Sequence, residues 1–291
     1  VESGIFYAVA AGVFWGTSPV LVKRGLVNSN VSAATLVQQA AILLTLVVAA
    51  LIEGELFTAQ VSLPALFVFA ATGAVGAYLG RTLFVKSVDE IGASGAQSLN
   101  NTSPLITVLL AALVLRESLS PAILLGVALI VGGIFFVTDG EDRTDGRTGR
   151  KLTMTSILAM LCYGVVPVLK KIGTELGGTP VLGALVMHAT GLALLLTLGS
   201  LLKIELKRQT IPGESLGCFI FAGMLYAVGS AFTFKALLYA PASIAAPIWS
   251  AQPIVSFFLV KALLKGIEKV TWLDGIAAAL VVLGVLVLRL G

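Results

Sequence analysis

Trp15-Gly16-Thr17-Ser18-Pro19-Val20-Leu21, followed by Lys23 and Gly25, returns 148 residues later as Tyr163-Gly164-Val165-Val166-Pro167-Val168-Leu169, followed by Lys171 and Gly173. At an offset of 149, Lys86, Ala93, Ser94 and Pro104 return as Lys235, Ala242, Ser243 and Pro253. Glu117-Ser118-Leu119-Ser120 parallels Glu268-Lys269-Val270-Thr271 after a small local insertion. Chance supplies one such match but not a series in the same order. The chain therefore reads as a duplication, with halves 1–138 and 152–291 around a charged linker at 139–151, DGEDRTDGRTGRK.

Composition sets the environment of these halves. Of 291 residues, 57% are hydrophobic and only 12% charged, against about 25% charged in soluble domains. The mean hydropathy is +1.01. Ordinary soluble enzymes are excluded on this balance. The net charge of +4 does not point to nucleic acid, because the 19 Lys and Arg cluster at the ends of apolar runs with no basic stripe of interleaved aromatics. Such positions place them at lipid head groups and water. Cys162 and Cys218 are isolated in apolar segments and read as small buried hydrophobes, giving neither disulfide nor metal site.

A hydrocarbon core of about 30 Å takes roughly 20 apolar residues as a helix. Ten such runs lie near 4–22, 33–52, 63–86, 92–115, 121–138, 152–170, 180–202, 215–238, 242–264 and 270–289. The fold expected is all-α and integral to the membrane. Val1–Val22 lacks a basic start and a small-residue cleavage site, so it reads as the first span and not as a signal peptide. Five spans per half is an odd number, so the second half enters from the opposite side. Ten transmembrane helices as two inverted five-helix repeats place a solute site near the midplane between the halves.

At these residues the sequence resembles the drug/metabolite transporter superfamily, specifically proteins with two EamA-type domains. The resemblance rests on Phe14–Pro19, on Ser103-Pro104-Leu105-Ile106, and on Leu115-Arg116-Glu117-Ser118-Leu119-Ser120 leading to Gly126 and Gly132-Gly133. It covers nearly the whole chain. It implies ten helices and alternating access by rocking around a central cavity, and it leaves the substrate open among amino acids, nucleosides, sugars, phosphorylated compounds and drugs.

Polar groups at depth are costly and mark candidate site residues. Arg81 falls roughly 9 Å from the midplane, judged by ~1.5 Å rise per residue. Its alternative partners are helix-end carbonyls, Asp89 or Glu90. Lys86 and Lys235 lie nearer the interface. The fourth span carries Gln97, Ser98, Asn100, Asn101, Thr102 and Ser103 just before Pro104, more polar groups than one helix satisfies internally. A local opening beside a wet cavity would account for them, with Asn100 and Asn101 facing it. Trp249 and Ser250 occupy the matching segment between Pro247 and Pro253.

Gln38 and Gln39 in the second span and His188 in the seventh lie within about 5 Å of mid-span. His188, the sole histidine, is the candidate for proton coupling. Trp15, Thr17 and Ser18, with Tyr78, Tyr163 and Tyr226, complete the candidate lining. Pro19, Pro104, Pro167 and Pro253 are candidate hinges. Gly12–Gly16 and Gly76–Gly80 have the spacing of close helix contacts. Glu117 is expected to cap the fifth span or pair locally.

No Asp or Glu falls near the middle of any span. The small multidrug-resistance relatives use such a carboxylate to exchange protons for cationic drugs, so that mode is disfavoured. A deep Arg with amides and hydroxyls suits a solute bearing an anionic group. The expected function is a secondary transporter for a small polar metabolite, an amino acid or related carboxylate first, a phosphorylated or nucleoside-type metabolite next. A membrane enzyme acting on a lipid-linked substrate lacks its nucleophile, acidic pair or metal cluster. No cofactor or nucleotide-binding motif is present, and the expected partners are the solute and membrane lipids.

Fourteen of the nineteen Lys and Arg fall on the linker side. The positive-inside rule then puts the linker in the cytoplasm and both termini outside, whereas the resemblance implies cytoplasmic termini. The expected location is the prokaryotic cell membrane.

Overall fold

The computed structural model describes residues 1–29, 31–58, 62–91, 96, 99–142, 153–198, 211–263 and 272–289. Among these residues the regular structure is all helical. In chain order the helices are α1 (Glu2–Gly25), α2 (Val31–Ile52), the short α3 (Glu55–Thr58), α4 (Leu63–Thr72), a π-helix (Gly73–Gly80) and α5 (Arg81–Ile91). They continue with α6 (Ser103–Val114), α7 (Pro121–Asp142), α8 (Met154–Glu175), α9 (Pro180–Leu198) and α10 (Gly213–Tyr239). The last are α11 (Ala242–Trp249), α12 (Gln252–Leu263) and α13 (Trp272–Leu288). Among the described residues six helical stretches are long and apolar enough to cross a membrane, and Ser103–Val114, Pro121–Ile134 and Ala278–Leu288 are shorter apolar helices. The helix α7 continues through Asp142, into the stretch read as linker; residues 143–151 of that linker, and Gln97 and Ser98, lie outside the described residues.

Small residues set the packing. Lipid tails are as apolar as leucine, so helices associate through close van der Waals fit and not through expulsion of water. Gly4 meets Ala240 and Gly25 meets Phe219, so α1 runs antiparallel to α10. Gly173 meets Phe69, Gly76 meets Val166 and Gly80 meets Cys162, so the α4–π–α5 unit runs antiparallel to α8. Gly126 meets Leu288 and Gly284 meets Ile130, which pairs α7 antiparallel to α13. In each pair one partner comes from each half of the chain.

The two halves also break in the same place. Between residue 100 and α6, the Thr102 N–H donates to Leu99 O at 3.1 Å and the Leu105 N–H to Thr102 O at 3.0 Å. Between α11 and α12, the Ala251 N–H donates to Ile248 O at 3.2 Å and the Ile254 N–H to Ala251 O at 3.1 Å. Every one of these residues maps onto its counterpart at an offset of 149. Pro104 and Pro253 each sit second in the helix after the break, where a missing N–H has no intrahelical partner to lose. Helix continues through the other two candidate hinges, Pro19 in α1 and Pro167 in α8, so neither marks a break.

Polar bridges close the end that carries the termini. Arg289 bonds Glu2, Lys235 pairs with Glu53 at 2.6 Å, and the Leu182 N–H donates to Glu55 at 2.8 Å. Glu117 does not cap the fifth span. Ser120 does, accepting the Ile123 N–H at 3.2 Å. Arg116 adopts a left-handed conformation with φ 56°. The carboxylate of Glu117 reaches into the other half, accepting the Ala242 N–H at 2.8 Å, the Ser243 N–H at 2.9 Å and the Ser243 hydroxyl at 2.6 Å.

At the linker end, Glu90 accepts the Thr155 hydroxyl. It does not pair with Arg81. Hydrogen bonds from Thr155 and then Thr153 hold its carboxyl below the ordinary value of 4.5. A carboxylate lowered in the folded state contributes stability above its unfolded pKa, and that contribution is lost as pH falls through the lowered folded value. The melting advantage of wild type over Glu90→Gln is therefore expected to shrink as the pH is taken down below the ordinary value of 4.5. An advantage that persists unchanged in acid would contradict this contact.

Candidate functional site

A cavity of about 320 Å³ lies between the halves, walled by α1, α2, the π-helix, α5, both helix breaks, α8, α9 and α10. The π-helix explains part of its shape. Gly73 faces Met187 and Thr190 of α9, while a Cβ on Gly76 would lie 2.5 Å from Val166 Cγ2 of α8. Three glycines at 73, 76 and 80 let this segment wedge between two helices. The wider i→i+5 winding accompanies that wedge and carries Gly76 and Ala77 onto the cavity wall.

Of the candidates named from sequence, Trp15, Gln39, Arg81, Asn100, Asn101, His188 and Trp249 line this cavity, with Pro104 and Pro167 beside them. Tyr163 and Tyr226 line it as well. Gln39 and His188, equivalent at an offset of 149, meet each other: Gln39 Nε2 donates to His188 O at 3.3 Å. The His188 Nε2 lies 3.0 Å from Ser230 Oγ, and the ring stands edge-on to Tyr226 at 5.8 Å. Trp15 stacks on Tyr226 at 5.4 Å and donates its indole N–H to Tyr226 O at 3.2 Å. Asn100 keeps its side-chain oxygen buried without a hydrogen-bond partner among the described residues.

Several sequence expectations fall elsewhere. Gln38 is not on the wall: its Nε2 donates to Ser18 Oγ at 3.1 Å, and Ser18 donates to Ala222 O at 2.9 Å, so both serve the α1–α2–α10 contact. A one-residue step of about 100° around the helix separates it from Gln39. Tyr78 is half-buried and off the wall. Thr17 bonds Val13 O within its own helix. Pro19 and Pro253 are also absent from the lining, and Lys235 is held at the surface by Glu53.

Lys170 is the residue missed. It is only 2% exposed yet lines the cavity. Its ammonium donates to Thr233 Oγ1 at 2.8 Å and lies over two rings, 5.5 Å from Trp15 and 4.7 Å from Phe234. Such ring contacts are worth about 2 kcal/mol when desolvated. By sequence it counts as one of a Lys-Lys pair at a helix end. A signal was present, since Tyr163, Val166, Pro167 and Lys170 share one helical face and all four line the cavity.

The cavity is graded. At the linker end Arg81 and Leu36 are exposed. Toward the termini Lys170 and Thr107 are buried, as are Trp249 and Ala246 on the second broken segment. No carboxylate lines the cavity among the described residues, and neither Arg81 nor Lys170 has one as partner among them. His, Cys, Asp and Glu side chains form no cluster able to hold a metal ion among those residues.

The description "EamA-like transporter family" belongs to a family model that matches residues 2–139 and again 151–290. No curated protein matches the chain. A solved structure titled "Crystal structure of protein" has a TM-score of 0.78 at 16% identity, over 99% of this chain and 96% of that one. At that identity the likeness concerns the fold alone. Two copies of a transporter domain, apolar helices long enough to cross a bilayer and a cavity between the copies that holds Arg81 and Lys170 agree with one another. The chain belongs to the EamA-like transporter family and is a multi-pass integral membrane transporter of the drug/metabolite superfamily.

Proposed function

We propose that the chain crosses the membrane ten times, as inverted repeats 1–138 and 152–291, and moves a small polar metabolite by alternating access. Amino acids and related carboxylates are the favoured solutes, in a prokaryotic cell membrane. The inverted arrangement is supported by the antiparallel pairing of α7 with α13 and by the matched breaks near residues 101 and 250. The observation that carries the solute class is Arg81, a guanidinium at the open end of the cavity with no carboxylate partner among the described residues. A guanidinium forks two parallel N–H groups toward a carboxylate. Asn100, Asn101 and Gln39 offer hydrogen bonds and Trp15 and Trp249 offer walls. Rocking of the halves would bend the chain at the breaks beside Pro104 and Pro253, and His188 is the titratable group available for proton coupling.

The test is counterflow in liposomes holding the purified protein. The panel is labelled amino acids, organic acids, nucleosides and glycerol 3-phosphate. Wild type is expected to exchange at least one anionic member. Arg81→Ala should reduce that exchange about 5-fold, as expected when one partner of an exposed charge pair is removed. Absence of wild-type flux across the whole panel would overturn the proposal.

A further inference from the structure

We propose that Lys170 is the inner anion anchor of the cavity, the group on which a solute's carboxylate or phosphate rests after it has passed Arg81. The inference rests on reading the cavity as a solute site, and it deepens that reading to a two-level path.

The register between α8 and the α4–π–α5 unit fixes the levels. Gly173 meets Phe69, Gly76 meets Val166 and Gly80 meets Cys162, so Lys170 lies level with Thr72, nine residues from Arg81. At ~1.5 Å per residue the two backbones are roughly 13 Å apart along the helix axis. Arg81 is exposed and Lys170 is 2% exposed, so the outer cation lies at the open end of the cavity and the inner one at its buried end.

Lys170 is held by weak neutral partners, one hydroxyl (Thr233) and two ring faces (Trp15 and Phe234). No described carboxylate neutralises it. A buried cation without a counter-anion is costly, and a chain folded only for packing would place an apolar residue there. The repeat-equivalent position, at an offset of 148, is Val22. The ammonium is thus an asymmetric addition to the second half. At the outer level, where Thr102 bonds Met160 and Gly80 meets Cys162, the buried oxygen of Asn100 has no partner among the described residues, so it can take a donor from the solute beside Arg81 before the acid group reaches the ammonium.

The experiment uses the full-length protein with Lys170→Met, Lys170→Gln and Lys170→Arg, and Lys235→Met as a surface control. Probes come as charged and uncharged pairs: N-acetylleucine and N-acetylleucinamide, succinate and succinamide, glycerol 3-phosphate and glycerol. Binding is read by thermal shift in detergent and exchange by counterflow in liposomes. Loss of the Lys170 charge is expected to weaken the charged probe that wild type binds by 10-fold or more. The uncharged counterpart should be unaffected, Lys170→Arg should retain part of the affinity, and Lys235→Met should behave as wild type. A carboxylate hit or a phosphate hit supports the anchor equally and tells the two acid groups apart. Wild-type affinity for the charged probe in both neutral variants overturns the anchor, as does equal loss of charged and uncharged probes. Absence of binding by every anion to wild type overturns it too. If wild type binds an anion through Lys170 but exchanges nothing, the transport reading fails and the anchor stands. If exchange is intact in Lys170→Met, the anchor fails and transport stands.

Discussion

Glu117→Ala is expected to be the most destabilising single polar substitution in the protein, by about 3 kcal/mol. Its carboxylate receives three hydrogen bonds at the start of α11, from two N–H groups and a hydroxyl. That helix begins after Pro241, a residue with no side-chain cap of its own. Glu117 therefore does for α11, from the other half of the chain, what a local cap and an acidic first turn do elsewhere. Ala242 and Ser243 are fully buried, so water does not replace the lost acceptor. A drop in melting temperature of roughly 5 °C or more should follow. Glu117→Gln keeps one acceptor and should fall between. Glu53→Gln, which breaks only a partly exposed pair with Lys235, should cost under about 1 kcal/mol. If Glu117→Ala melts with wild type, the carboxylate is not holding the halves together.

Gly16→Leu should be worse than any surface change of the same size. A Cβ at Gly16 would stand 2.6 Å from Gln252 O and 2.7 Å from Val255 Cβ. The first obstacle is backbone, at the break between α11 and α12, and cannot rotate away. Ser256 also donates its hydroxyl to Gly16 O at 2.6 Å, so separating the helices breaks that bond too. Overpacking of this kind costs about 3 kcal/mol. The displaced break would also move Gln252 and Ser250, which line the cavity, so exchange should fall along with stability. Gly217→Leu is the control, since nothing lies within 4 Å of a Cβ there. Monodispersity and melting of the two variants give the comparison, and equal behaviour would refute the packing account.

The sequence by itself determined the helical, membrane-borne character and the duplication. Those depend on local quantities: apolar run length against bilayer thickness, and the same residues recurring at a fixed offset. The pairing of Lys86, Ser94 and Pro104 with Lys235, Ser243 and Pro253 was enough to align Asn101 with Ser250, and the two breaks lie at that alignment. Arg81, Asn100, Asn101 and His188 were visible because a polar group at depth is anomalous in any helix.

Only the tertiary structure decided which face each helix turns inward and which half each side chain answers to. Gln38 and Gln39 are neighbours in sequence, yet one bonds Ser18 and the other lines the cavity. Among the described residues the Glu117 carboxylate finds its partners in the other half, in backbone 125 residues away. Lys170 looks like an interfacial lysine until Trp15, Phe234 and Thr233 are brought around it from other helices. Depth along a helix can be counted in residues, but rotation about its axis and the identity of its neighbours follow from packing, and packing is settled by contacts between segments far apart in the chain.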